Sequence, residues 1–258
     1  MDRLYFRENN SKGADAIVFI HGGGISGRMW HADLQALPEY HCLAPDLPGH
    51  GQSTDIRPFS LENSVAGLAE LIQTSVPSGR AAVLGISVGA IVCIALCNRH
   101  PDLVEKAFLS GTSPRMGRIA TSMANLLTYA FLSLTPLKHR VNFAAKGAGL
   151  SDEQKDLFRE DLENITPELG FQINNMLAKQ PDPHAGSPPT VVFVGEKEFR
   201  PNKRRTHEVA KALGNKEVYV VSSLGHGWCF ENPELFRRTV RRWMSDADLR
   251  EDFVALPI

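Results

Sequence analysis

Apolar, β-rich runs recur along the chain at Ala16 to Ile20, Cys42 to Ala44, Ala81 to Leu84, Ala107 to Leu109, Thr190 to Val194 and Val218 to Val221. Between most of them lie stretches of helical length. Near-continuous apolar strands alternating with helices predict an α/β fold, a mainly parallel twisted sheet with helices on both faces. Ligands of such sheets gather beyond the carboxyl ends of the strands.

The alternation breaks between about Ser113 and Ser187, where several helices and no strand are predicted. Ile119, Met123, Leu126, Leu127, Ala130, Phe131 and Leu134 recur at helical spacing and predict one amphipathic helix. Ser151 to Ile165 opens with a Ser-x-x-Gln capping box, and Thr166-Pro167 starts a further helix through Phe171 and Leu177. The expected organisation is a core of residues 1–112 and 188–258, with a helical cap over 113–187. The apolar faces of such a cap roof a site, exclude water and in part pack on the body.

At 258 residues the chain suits one large α/β domain with an insertion. Its 28 Lys and Arg nearly balance 29 Asp and Glu, so the net charge of −1 provides no long-range attraction to nucleic acid or to an anionic membrane. Lys203-Arg204-Arg205, Arg237-Arg238 and Arg241-Arg242 are expected on solvated helix faces. Met1 to Glu8 lacks the apolar core of a signal peptide and no segment is long enough to span a bilayer, which predicts a cytoplasmic protein without membrane insertion. Cys42, Cys93, Cys97 and Cys229 lack zinc-site spacing and are expected as buried thiols; no metal, no cofactor and no disulfide framework are indicated. The tail's Phe253, Val254, Leu256 and Ile258 are expected to pack on the body, and nothing in the pattern specifies self-association.

The chemistry centres on Gly85-Ile86-Ser87-Val88-Gly89, directly after an apolar run. A strand-to-helix turn this tight strains its central residue and needs neighbours nearly free of side chain, which leaves the serine hydroxyl clear at the sheet edge. Val88 through Arg99 then reads as a small-residue, buried helix, ended by His100-Pro101. Upstream, His21-Gly22-Gly23-Gly24 is a loop whose N–H groups can approach a ligand closely. Gly23 N–H and Val88 N–H are the two candidate oxyanion donors; losing one such donor typically costs about a hundredfold to a thousandfold in rate.

A serine nucleophile needs a base, and the base a carboxylate to fix its tautomer. His226, in Leu224-Gly225-His226-Gly227 after a strand, is the candidate base. His31, His41, His100, His139, His184 and His207 have no comparable context. Two acids are available in Gly195-Glu196-Lys197-Glu198. Glu198 is preferred because it lies further round the loop towards the histidine, whereas Glu196 directly follows the glycine and is expected to face solvent. Ser110-Gly111-Thr112-Ser113, the usual alternative position, carries no carboxylate. Asp46 and His50 read as structural members of the Asp46 to Ser53 turn.

Together these residues resemble the α/β-hydrolase fold family over nearly the whole chain. His21-Gly22-Gly23 is similar to its oxyanion loop, Asp46 to Ser53 to its Asp-x-x-Gly-x-Gly-x-Ser turn, Gly85 to Gly89 to its nucleophile elbow, and Gly225-His226 to its histidine loop. Glu198 stands where the family's Gly-x-x-Asp loop has aspartate. The resemblance implies a Ser87–Glu198–His226 triad and two-step acyl transfer on a small-molecule substrate, with activity falling as the histidine protonates. A serine elbow argues against the aspartate-dependent dehalogenase and epoxide hydrolase branches. The leading expectation is hydrolysis of a carboxylic ester or thioester of a small to medium, largely apolar substrate. The alternatives are a carbon–carbon bond hydrolase and a slow ligand-sensing, signalling hydrolase.

Overall fold

All six apolar runs are strands of one sheet. The computed structural model describes residues 3–9, 15–150, 152–184 and 186–258. Its strands are β1 (Phe6–Glu8), β2 (Ala16–Ile20), β3 (His41–Pro45), β4 (Ala81–Ile86), β5 (Val104–Ser110), β6 (Thr190–Gly195), β7 (Glu217–Val221) and β8 (Val254–Pro257). They lie in the order β1-β3-β2-β4-β5-β6-β7-β8, parallel throughout except for the two antiparallel edges. Pairing of Ile20 with Gly85 and of Gly195 with Val221 aligns the carboxyl ends along one rim.

Alternation along each strand feeds two cores. Val18, Ile20 and Val83 face one, Ile17, Phe19 and Leu84 the other. Helices α1 (His31–Ala36), α2 (Leu61–Ser75) and α3 (Val88–Arg99) follow the first strands. Ser60 Oγ caps α2 by accepting from Asn63 N–H at 3.1 Å. α3 is buried almost all round, as its small apolar sequence requires.

Between β5 and β6 come α4 (Arg118–Leu134), α5 (Leu137–Ala148), α6 (Asp152–Asn164) and α7 (Pro167–Ala178), then α8 (Arg200–Ala212), α9 (Trp228–Glu231) and α10 (Pro233–Met244). α8 lies against β6 and β7 and shares one core with α2 and α3, while α1 and α10 cover the opposite face, where Trp30 stacks on Phe236 with centroids 5.4 Å apart. Thr166 Oγ1 accepts from Leu169 N–H at 3.2 Å and starts α7 as expected. The capping residue proposed for α6, Ser151, lies outside the described residues.

Three expectations need correction, and one strand is new. The apolar stripe of α4 does not pack on the body: Ile119 is 83% and Leu134 80% exposed. It is the polar side of α4 that meets α7. There Asn174 Nδ2 donates to Asn125 Oδ1 (2.9 Å) and Thr128 Oγ1 (3.2 Å), and a Cβ on Gly170 would sit 2.4 Å from Thr128 Cγ2. Arg205 is not solvated but buried, donating to Gln180 Oε1 and Asp182 Oδ1, each at 3.1 Å. The sequence tail forms the edge strand β8; Phe253 alone of its four apolar residues is buried, against Phe193. β1 was not expected, because three half-exposed residues carry no apolar run.

Among the described residues no helix is long and apolar enough to cross a membrane. The four cysteines are buried free thiols.

Candidate active site

The turn between β4 and α3 holds Ser87 at φ 58°, ψ −118°, a region that side chains rarely adopt. The flanking glycines are sterically required. A Cβ on Gly85 would lie 2.4 Å from Gly89 O, and one on Gly89 would lie 2.4 Å from Ile20 O. Ser87 N–H donates to Ser110 O at 2.9 Å, which ties the turn to β5.

The register brings His21-Gly22-Gly23-Gly24 beside this turn. A Cβ on Gly22 would lie 3.7 Å from Ser87 Cβ, and one on Gly23 only 2.8 Å from Val88 Cγ2. Gly24 N–H donates to His50 Nε2 at 3.2 Å, whereas Gly23 N–H has no acceptor among the described residues. Val88 N–H is the first of α3, a position without an intrahelical acceptor.

Two buried imidazoles brace that loop. His50 Nε2 is occupied by Gly24 N–H, so its proton sits on Nδ1 and is donated to Pro48 O at 2.9 Å. His21 likewise accepts from Leu47 N–H through Nε2 (2.9 Å) and donates through Nδ1 to Gly22 O (2.7 Å). Burial lowers His21 to about 4, and burial with the neighbouring His21 lowers His50 to about 3. Both rings therefore stay neutral. Asp46 is also structural: Oδ1 accepts from Arg7 Nη1 and Gly27 N–H, and Oδ2 from Gln52 N–H.

His226 follows β7 on a loop anchored by the buried Trp228, whose Nε1 donates to Ser110 Oγ at 2.9 Å. Glu198, after β6, is buried and accepts from His226 Nδ1–H through Oε2 at 2.9 Å. The same carboxylate accepts from Asn202 Nδ2 through Oε2 and from Gly195 N–H through Oε1, each at 3.1 Å. Burial would push the Glu198 carboxyl up, but these bonds, His226 foremost, outweigh it and hold it below the usual glutamate range. Glu196 is exposed and accepts from Ser223 N–H.

Three contributors escaped the sequence reading. Gly111, at φ 62°, lies under the imidazole: a Cβ there would be 2.7 Å from His226 Nδ1 and 3.3 Å from Glu198 Oε1. Asn202 stands four residues after Glu198, a helical spacing that could have suggested it. His50, structural in the Asp46 to Ser53 turn, also holds Gly24 N–H, a bond that turn chemistry alone does not foretell.

Ser87 and His226 share an apolar cavity of about 250 Å³, with Ile165, Phe158 and Leu162 opposite them. A second, more open cavity of about 610 Å³ also reaches Ser87 and is bounded by Leu127, Phe131 and Phe143. Helices α5 and α6 thus contribute to the first, and α4, α5 and α7 to the second. Ser26 N–H and Oγ each donate to the buried Asp161 Oδ2 of α6 at 2.9 Å, joining those helices to the loop after Gly24.

A model of the alpha/beta hydrolase family matches residues 17–239. An AB hydrolase superfamily protein of Gibberella zeae is 28% identical over 98% of this chain and 88% of its own. A putative 2-succinyl-6-hydroxy-2,4-cyclohexadiene-1-carboxylate synthase of Haemophilus influenzae is 33% identical over 87% and 95%. The solved structure of a thermophilic esterase from Thermogutta terrifontis shares the fold at a TM-score of 0.78, with 21% identity over 94% of this chain and 93% of that one. With the matched region running from β2 into α10, the chain belongs to the alpha/beta hydrolase family.

Proposed function

We propose that the chain is a serine hydrolase, a carboxylesterase in the broad sense, cleaving a carboxylic ester or thioester of a small to medium, largely apolar substrate. One observation carries the reading: the strained Ser87 and His226 line one apolar cavity, and the buried Glu198 holds the far nitrogen of that histidine.

In this reading Ser87 Oγ attacks the carbonyl carbon and its proton passes to His226 Nε2. The oxyanion accepts hydrogen bonds from Gly23 N–H and Val88 N–H, while Glu198 stabilises the imidazolium through Nδ1–H. The carbonyl re-forms, the alcohol or thiol leaves with the proton from Nε2, and His226 then activates water to hydrolyse the acyl-enzyme. Residues 113–187 serve as the cap, excluding water from a core of residues 1–112 and 188–258. No cofactor enters any step.

Among the described residues, neither cavity includes Lys or Arg in its lining. A carboxylate ligand, such as the product in the name of the Haemophilus relative, would find no Lys or Arg there, which favours an apolar ester. Turnover of a short-chain aryl ester by wild type and by Ser87→Ala tests the reading. The expected loss in the variant is at least about a thousandfold; no turnover by wild type, or equal turnover by both, overturns it.

A further inference from the structure

Helix α4 is built inside out. Its polar side, Asn125 and Thr128, is spent on Asn174 of α7, and its apolar stripe faces outward. Ile119, Met123, Leu126, Leu127 and Leu134 are all more than half exposed, and Phe143 of α5 adds an aromatic ring that is 71% exposed and in contact with Phe131. Over the 17 residues of α4 the stripe runs about 25 Å. A contiguous apolar face of this length on a folded chain marks a surface that something covers.

The charge around the stripe indicates what covers it. Residues 113–150 hold five Lys or Arg and no Asp or Glu, although the whole chain nets −1. Arg115 pairs with Asp182 and Arg140 donates to Leu162 O, but Arg118 at one end of the stripe and Lys138 and Lys146 towards the other are exposed. The balance of the whole chain therefore conceals a local basic, apolar face. A second copy is a poor occupant, because pairing two such faces would juxtapose cations with no acid between them. A straight apolar strip flanked by cations at both ends fits the boundary between anionic headgroups and acyl chains.

We propose that α4 and the start of α5 dock the chain on an anionic lipid surface, with the apolar stripe lying in the interface. Leu127 and Phe143 belong both to this face and to the open cavity that reaches Ser87. Docking thus turns the mouth of that cavity to the lipid. The docking itself does not depend on the hydrolase reading.

Co-sedimentation of the full chain with vesicles of equimolar phosphatidylcholine and phosphatidylglycerol, against pure phosphatidylcholine, tests this. Wild type is expected to partition onto the anionic vesicles, to leave them at high salt, and to lose about fivefold in partition for each of Arg118, Lys138 and Lys146 changed to Ser. The triple variant Ile119→Ser, Leu126→Ser, Leu134→Ser should lose binding while keeping the wild-type circular dichroism melt, since all three side chains are exposed. Ser87→Ala should bind as wild type does, which separates docking from catalysis. The proposal is overturned if wild type stays in the supernatant, if the apolar triple variant binds equally, or if wild type dimerises through this face without binding vesicles.

Discussion

Glu198 Oε2 stands 2.9 Å from His226 Nδ1, whereas Glu196, two residues earlier, reaches only the backbone of Ser223. The two acids on one loop therefore make different predictions. Glu198→Gln removes the charge that steadies an imidazolium and reverses which tautomer the ring favours. Its kcat on an aryl ester should fall about a thousandfold to ten-thousandfold. Glu196→Gln should stay within about twofold, the effect of an exposed substitution. Steady-state kinetics of the pair decide the assignment, and equal losses in both would refute it.

Gly111 provides the space in which the imidazole sits. A methyl at this position, 2.7 Å from His226 Nδ1, must displace the ring, and φ of 62° adds backbone strain of about 1 kcal/mol or more. If His226 is the base, as proposed, Gly111→Ala should lower kcat at least about tenfold, because ångström-scale misplacement of a catalytic group is costly. Its melting temperature should fall only modestly. Unaltered kinetics would mean that the ring has another resting place.

The neutral pair His21 and His50 predicts acid lability. Their folded values, about 4 and about 3, lie below the unfolded value of about 6.5, so the unfolded chain binds more protons between those limits. Their contribution to stability is complete above about pH 6.5 and is lost as pH falls towards 4 and then 3. Each histidine adds a slope of about 1.4 kcal/mol per pH unit within its window. His50→Gln, whose amide oxygen can still accept from Gly24 N–H, should remove one such increment from urea-unfolding free energies measured between pH 4.5 and 6.5. An unchanged slope would sink this account.

Arg205 links α8 to the segment after α7 through Gln180, Asp182 and Pro181 O. Its head is buried, but Asp182 is half exposed, so the pair is partly screened. Arg205→Ala should cost about 2 kcal/mol, chiefly from the lost hydrogen bonds and packing of the stem. Arg204→Ala, on an exposed position of the same basic cluster, should be near neutral by thermal unfolding.

The core was legible because β2, β3 and β4 are buried on both faces, and β5 and β6 over most of their length, and so read as uninterrupted apolar runs. The edges were not, since three or four half-exposed residues pair only through backbone groups that every residue carries. The turn at Ser87 was legible for a steric reason: only glycine fits where a Cβ would meet Ile20 O or Gly89 O. By itself, then, the sequence determined the parallel sheet, the turn at Ser87 and the order of serine, acid and histidine, because local sterics and burial write these into neighbouring residues.

Tertiary structure alone decided the rest. Glu198 rather than Glu196 reaches His226 because the pairing of β6 with β7 and the first turn of α8 aim one side chain inward and the other out. Gly111 lies beneath the ring through a contact more than a hundred residues away in the chain. Periodicity marked an apolar face on α4 but could not say which way it turns. Close approach at Gly170 and the Asn174 hydrogen bonds seat the opposite side on α7, and hydrophobic spacing carries no record of such contacts between helices.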